Sequence, residues 1–378
     1  MIERKLKILH FSIANTKSGV TQYILNQWKF IDRTKFFFDF VTFSKELDYA
    51  EELLAEGCKI HYVSVYAEKD EKLFCEEIRK IFEEGYDVVH LHTSNWSRFI
   101  LEELAKEAGI PKIIIHSHSS DVHNTFGKTL EKAREIHSFM REQLNTDVAT
   151  DFFACSNKAA EWLYGDSIPK EKVIIIKNAI DIDRFTFDEV KREQTRKELK
   201  IDKDFVIGHV GRFEYQKNHD FLIRFFLRVC KSVKDVKLIL VGDGSLRNKI
   251  EMEVEEHGIK DRVIFLGKTN EVEKYYQAMD LFVLPSHFEG FCIAAIEAQT
   301  ADLPCLISQN VDSETKIIEK CELLELDEEL WYERTMRIYE SKNIASRECK
   351  KEFFKQEGFD IRESVKSLEK LYLGINES

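Results

Sequence analysis

The feature that most constrains this chain is an alternation that runs its length once and then starts again. From residue 6, short β-branched or aromatic runs take turns with longer segments of helical period. Strands read at Leu6–Phe11, Phe37–Phe43, Lys59–Val63, Asp87–Leu91, Lys112–Ser117, Asp151–Ala154 and Val173–Ile176. Helices such as Tyr23–Ile31, Glu71–Phe82, Arg98–Lys106 and Lys128–Leu144 fall between them. A second series has strands at Phe205–Val210, Val236–Val241, Val263–Leu266, Leu281–Leu284 and Cys305–Ile307. Its helices read at Asp220–Cys230, Leu246–His257, Val272–Ala278 and Phe291–Thr300. Such alternation specifies largely parallel, doubly wound sheets. The expectation is an α/β chain of two Rossmann-like units facing a cleft, residues 1–178 and 201–351. The polar, charged stretch 179–200 is expected to be the linker between them. Past Asp312 the sequence reads as mostly helical.

The stretch Asp280–Ala301, DLFVLPSHFEGFCIAAIEAQTA, carries the most chemistry. A buried strand, Leu281–Leu284, runs into a loop with Pro285, Ser286 and Gly290, and a helix opens near Phe291. Ligands of open α/β sheets bind where loops leave the carboxyl ends of the strands. A helix start there offers unpaired N–H groups and a positive dipole end to a phosphate. Glu289 lies on the loop, and Glu297 sits about 9 Å along the helix axis. Together they read as acceptors for the hydroxyls of a nucleotide sugar, Glu297 at the ribose and Glu289 at the sugar.

The second series opens with GHVGRFEYQKNH, residues 208–219. Arg212 and Lys217 follow its first strand, after Gly211, where they would neutralise a diphosphate, arginine through a bidentate fork and lysine as a point charge. Gly242 and Gly244 end the next strand, in Val241–Gly244, and would permit close approach of a nucleobase or phosphate. In the first series Asn15–Val20 places Gly19 at a helix start. His90 and His92 end one strand and His116 and His118 the next, with Asp121 beyond. Residues two apart on a strand share a face, so His116 and His118 point the same way. No cysteine or glutamate joins them at ligand spacing, so one histidine at the reacting groups is preferred to a metal site.

Composition excludes several classes. A net charge of −12 opposes bulk nucleic-acid binding, which needs a basic footprint. No apolar run approaches the 18 residues of a membrane span. The opening MIERKLKILHFS leads into a strand without a signal-peptide core. The eight cysteines are scattered without a CxxC pair, as in a reduced, cytoplasmic protein.

Taken together, Gly208–His219, Gly242–Gly244 and Pro285–Gln299 resemble the family-four retaining glycosyltransferases of GT-B architecture, of the kind that build bacterial exopolysaccharide and capsule. The resemblance implies that Arg212 and Lys217 bind the donor diphosphate and stabilise the leaving group. It implies that Glu297 holds the ribose and that Glu289 acts near the donor sugar. It places the backbone of Gly290, Phe291 and Cys292 against sugar and phosphate, Gly19 beneath the diphosphate, and His118 beside donor sugar and acceptor. No metal and no cofactor are implied. Two departures stand out: Ser18-Gly19 replaces a usual Gly-Gly pair, and Cys292 stands where glycine or proline is commoner. The family's last helix returns to the N-terminal domain, and Glu352–Leu373 is the candidate.

The implied activity is transfer of a hexose or N-acetylhexosamine from a nucleotide diphosphate sugar, a UDP-sugar, to a lipid-linked glycan acceptor. Two alternatives use the same architecture: a non-catalytic subunit supporting a partner transferase, and a sugar-nucleotide epimerase. A nicotinamide enzyme is opposed by the lack of a G-x-G-x-x-G turn after the first strand. For an acceptor at the inner face of the cell membrane, two stretches of the N-terminal domain offer peripheral contact. One is Ser94–Phe99, with Trp96, Arg98 and Phe99. The other is Lys128–Leu144, with Lys128, Lys132, Arg134, Phe139, Met140 and Arg141.

Overall fold

The computed structural model describes residues 4–15, 19–122, 127–289, 291–341 and 347–374. The chain forms two compact units, Met1–Ala179 with Ile361–Ser378, and Ile180–Asp360. Gly290 and Ser18, named above, lie outside the described residues.

The first unit holds β1 (Leu6–Ile13), β2 (Phe36–Thr42), β3 (Ile60–Tyr62), β4 (Val88–Thr93), β5 (Lys112–Ser117), β6 (Asp151–Ala154) and β7 (Val173–Ile175). They form one parallel sheet in the order β3-β2-β1-β4-β5-β6-β7. The order reverses between β1 and β4, the switch point at which such sheets hold ligands. Helices cover the strands, which is why β2 is buried on both faces: Phe36, Phe38 and Phe40 on one, Asp39 and Val41 on the other. Ile24 and Trp28 of the helix Gly19–Phe30 pack on this sheet together with Ile361, Val365, Leu368 and Tyr372 of the last helix, Ile361–Tyr372. Spacings of four, three and four residues make that last set a single apolar stripe. The returning C-terminal helix is therefore shorter than Glu352–Leu373. Gly358, at φ 81°, ends a separate helix, Lys351–Gln356, that belongs to the second unit.

The second unit holds β8 (Phe205–Val210), β9 (Val236–Val241), β10 (Val263–Gly267), β11 (Leu281–Leu284), β12 (Cys305–Ser308) and β13 (Cys321–Leu324), parallel in the order β10-β9-β8-β11-β12-β13. β13 corrects the expectation of a mostly helical tail. The run CELL is short and carries a glutamate, but register with β12 (Cys305 beside Cys321, Ile307 beside Leu323) makes it an edge strand. Behind it, Trp331 of the helix Glu328–Glu340 meets Phe221 and Phe225 of the helix His219–Ser232, at ring separations of 5.2 and 5.9 Å.

Residues 180–200 are not a free linker. The helix Glu189–Leu199 belongs to the second unit, and two of its charges are spent inside it. Arg192 and Arg196 both reach the buried Asp280, at 2.5 and 3.1 Å, and the Val206 N–H donates to the same carboxylate at 2.8 Å. A charge-rich sequence reads as solvated until the one acid that neutralises it, far along the chain, is folded beside it.

Candidate active site

The site in the second unit begins where β8 ends. Gly211 and Arg212 lead into a tight turn, Tyr215–Lys217, and Asn218 in the left-handed region caps the helix His219–Ser232. This turn lies against the loop that leaves β11. The His287 N–H donates to the Gln216 carbonyl at 2.8 Å, the Gln216 amide to the Phe288 carbonyl at 3.2 Å, and the Tyr215 and His287 rings stack at 4.3 Å. These contacts carry Lys217 to Glu289, with Nζ 2.6 Å from Oε1. The Ser286 hydroxyl donates to the same oxygen at 3.1 Å, and Cys292 Sγ lies 3.7 Å from Nζ.

Lys217, Glu289 and Cys292 are all buried. Burial opposes the ammonium charge, yet Cys292 and Glu289 hold the Lys217 pKa above its ordinary value. Burial also pushes the Cys292 thiol up to about 11, so at neutral pH it is uncharged and Glu289 is the anion that counts. Arg212 is half-buried and close enough to repel the Lys217 charge, and among the described residues its guanidinium makes no ion pair or side-chain hydrogen bond. Of two clustered cations only Lys217 meets the carboxylate, an arrangement suited to a further anion.

The helix bearing the second carboxylate runs Ile293–Thr300, two residues later than expected, with Cys292 at its N-cap. The Phe291 ring turns into the core and stacks on Phe359 at 5.7 Å, so only its backbone is left for a ligand. Glu297 accepts a hydrogen bond from the Tyr276 hydroxyl at 2.8 Å, and burial pushes its pKa up to about 7. Tyr276, fully buried on the helix Val272–Ala278, is the residue that sequence reasoning missed. A tyrosine in YYQAM carries no motif, and its partner lies 21 positions away.

Gly242 is needed for the packing of the protein's own loops. At φ 137° it lies so close to the neighbouring loop that an added Cβ would stand 2.0 Å from the Gly211 carbonyl oxygen. A Cβ on Gly211 would in turn meet His209 Nε2 at 2.9 Å and the Lys217 stem at 3.0 Å. Both glycines let protein loops approach each other, which sets where Arg212 and Lys217 stand.

Arg212, Lys217, Glu289, Phe291, Cys292 and Glu297 thus gather in the second unit, while Gly19 and His118 belong to the first. Gly19 opens the helix Gly19–Phe30 into free space. His118 follows β5, half-buried, with Nε2 2.9 Å from His92 Nδ1. Asp121 receives Arg134 at 2.9 Å. His10, which sequence reasoning passed over, joins these histidines from β1. Nitrogens of His10, His90 and His92, and of His92, His116 and His118, form two groups within 4.8 Å.

The stretches expected to meet a membrane change character. Trp96 is 1 % exposed and donates its indole N–H to the Leu163 carbonyl at 2.7 Å, while Arg98 pairs with Glu71. On the helix Gly127–Gln143, Arg134 is held by Asp121 and Arg141 by the Trp162 carbonyl at 3.1 Å. Phe139, 62 % exposed, and Ile136, 40 % exposed, remain at the surface with Lys128 and Lys132. Among the described residues no helix is long and apolar enough to cross a membrane.

Two family models match successive parts of the chain: Glycosyltransferase Family 4 over residues 17–184 and Glycosyl transferases group 1 over residues 190–325. The chain is 29% identical over 376 residues to the putative glycosyltransferase EpsF of Bacillus subtilis, covering 97% of this chain and 96% of that protein. It is 26% identical to the Escherichia coli UDP-Gal:alpha-D-GlcNAc-diphosphoundecaprenol alpha-1,3-galactosyltransferase, covering 98% and 97%. Among solved structures, Anabaena HepE in complex with UDP-glucose shares the fold with a TM-score of 0.76 at 16% identity, over 98% of this chain and 100% of that one. WaaG, a glycosyltransferase involved in lipopolysaccharide biosynthesis, gives the same TM-score, identity and coverage.

Proposed function

The chain belongs to the family-four glycosyltransferases of GT-B architecture, and on that premise we propose a retaining transfer of a hexose or N-acetylhexosamine from a UDP-sugar to a growing, lipid-linked surface polysaccharide. One observation carries the reading: half-buried Arg212 stands, unpaired among the described residues, beside Lys217, whose charge is shared with Glu289. A diphosphate is the ligand that satisfies both cations. Charge on the leaving phosphate grows as the sugar departs, so these side chains stabilise the transition state more than the bound donor. The same two cations supply the compensation a metal ion would otherwise give, so the transfer is read as metal-independent. Glu297, oriented by Tyr276, accepts from the ribose, and Glu289 turns to the sugar. UDP as the carrier is supported by the names of the Escherichia coli relative and of the HepE complex, and the lipid-linked acceptor by the former.

The test is incubation with UDP-hexoses and UDP-N-acetylhexosamines, with and without a diphosphoundecaprenol-linked glycan, in EDTA. The expected product is an extended glycan whose new bond keeps the donor's anomeric configuration. Interconversion of nucleotide sugars without acceptor would favour the epimerase. Binding without turnover would favour the non-catalytic subunit. Activity lost in EDTA and restored by Mg²⁺ or Mn²⁺ would overturn metal independence.

A further inference from the structure

Two rows of flat rings lie at the carboxyl ends of β1, β4 and β5 in the first unit. In one, His10 Nδ1 is 3.0 Å from His92 Nε2, and His92 Nδ1 is 2.9 Å from His118 Nε2. In the other, the Tyr372 hydroxyl is 2.8 Å from His90 Nδ1, and His90 Nε2 is 3.1 Å from His116 Nδ1. Strand register creates the rows: His10 sits beside His90, and His92 beside His116, so all of these side chains share one face of the sheet. His10 and His92 lie within 16° of parallel and His90 and His116 within 10°, while His92 and His118 are tilted by 36°. Between rows they stack, His90 on His92 at 4.3 Å and His116 on His118 at 4.0 Å.

We propose that His92 and His10 are positioning residues that fix the tautomer of His118, so that His118 presents Nδ1–H outward as a hydrogen-bond donor. The proposal rests on the assignment of His118 to the reacting sugar made above. A neutral imidazole has one N–H and one lone pair. His92 uses both nitrogens in the row, so if it donates to His118 it must accept from His10, and the reverse. Only two proton patterns therefore exist, and the buried end of the row chooses between them. His10 is 0% exposed, and its Nε2 has no hydrogen-bond partner among the described residues. A buried N–H without an acceptor is rarer than an underused lone pair. The lone pair therefore sits on His10 Nε2, the Nδ1–H of His10 donates to His92, and the Nδ1–H of His92 donates to His118. The remaining proton is on His118 Nδ1, which makes no hydrogen bond among the described residues.

Two further observations support this pattern. Burial lowers the His10 and His118 pKa values to about 3 and that of His92 well below the ordinary value, so no ring in the row carries a second proton at neutral pH. A metal does not fit on the straight line between two such facing nitrogens. Two metal–nitrogen bonds of about 2.0–2.1 Å would set opposed nitrogens about 4 Å apart, not 3 Å. The consequence is chemical. His118 binds an oxygen lone pair and does not take the proton from the acceptor hydroxyl. That proton goes to the departing phosphate oxygen as the sugar–phosphate bond breaks and the new glycosidic bond forms.

Nitrogen NMR of the full chain, labelled at histidine with ¹⁵N and assigned by His118→Gln, reads the tautomer directly. In the wild type at neutral pH, His118 should show a protonated Nδ1 and a bare Nε2. His92→Asn places an amide N–H near the position of Nδ1 and should preserve that pattern, with turnover close to wild type. His92→Leu should move the proton to Nε2 and lower kcat on the order of tenfold, the worth of one hydrogen bond, with less change in donor KM. A wild-type His118 protonated at Nε2 or at both nitrogens would overturn the proposal, whatever the variants do. So would one metal ion per chain bound by these rings. The spectrum needs neither donor nor acceptor, so a failed transferase reading leaves it intact, and an unexpected tautomer leaves transfer untouched.

Discussion

Lys217 and Glu289 are already paired, ammonium to carboxylate at 2.6 Å, with both side chains almost out of solvent. A donor diphosphate must therefore draw on a cation that Glu289 holds, whereas the Arg212 guanidinium beside it is unengaged among the described residues. Arg212→Ala and Lys217→Ala should each lower kcat by on the order of a hundredfold. Glu289→Gln should behave differently. It frees Lys217, so UDP should bind at least as tightly as to wild type, measured by calorimetry, while transfer falls. Weaker UDP binding in Glu289→Gln would refute the division between the two ends of the site.

Glu297 gives the site a pH dependence. Burial raises its pKa to about 7, so the carboxylate that accepts ribose hydroxyls forms only as pH rises through that value. Affinity for UDP-glucose, whose diphosphate does not titrate in this range, should increase between about pH 6 and 8. Glu297→Gln should flatten the curve. The Tyr276 hydrogen bond favours the charged form, so Tyr276→Phe should move the midpoint to higher pH. An unchanged midpoint in Tyr276→Phe would remove Tyr276 from the site.

Both sheets were legible because parallel strands and strand-end loops follow from local patterns. Glu289, Glu297, Arg212 and Lys217 were singled out by position along a motif, and all four fall in the second unit. What could not be read is what depends on pairing across the sequence. Tyr276 serves Glu297 from a separate helix, His10 completes a row whose other members sit beyond residue 90, and Asp280 turns Arg192 and Arg196 inward. Trp96 was misread for the same reason, since an indole beside an arginine looks superficial until Leu163 is folded over its N–H.

Asp280 should matter to stability more than any residue of the motif. It accepts from two buried guanidinium groups and one backbone amide of β8. Asp280→Ala would leave both arginines without their counter-charge, at a cost of roughly 3–5 kcal/mol. Hydrogen exchange of the amides in β8 and β11 in increasing urea should reveal it. A loss below about 1 kcal/mol would mean that the pair is no stronger than a surface bridge.

Contact with a membrane, if the acceptor is lipid-linked, is expected through the exposed Ile136, Phe139, Lys128 and Lys132. The protein should float with anionic liposomes at low salt and less at physiological salt, as screening shortens the reach of the lysines. Phe139→Asp should abolish flotation. Equal flotation of Phe139→Asp would place the contact elsewhere, and no flotation at low salt would remove it.

The two ends of the second unit lie side by side: the Ile180 N–H donates to the Phe359 carbonyl at 3.0 Å, and Ile180 pairs with Asp360 in an isolated parallel bridge. In genetic terms, residues 180–360 are a cassette inserted into a host whose own chain resumes at Ile361. Both ends of the cassette sit at one spot, so exchange for the corresponding cassette of a relative asks for two adjacent junctions and no rerouting of either sheet. On the proposed reading donor choice would travel with that module, while the host keeps its last helix and its histidine rows.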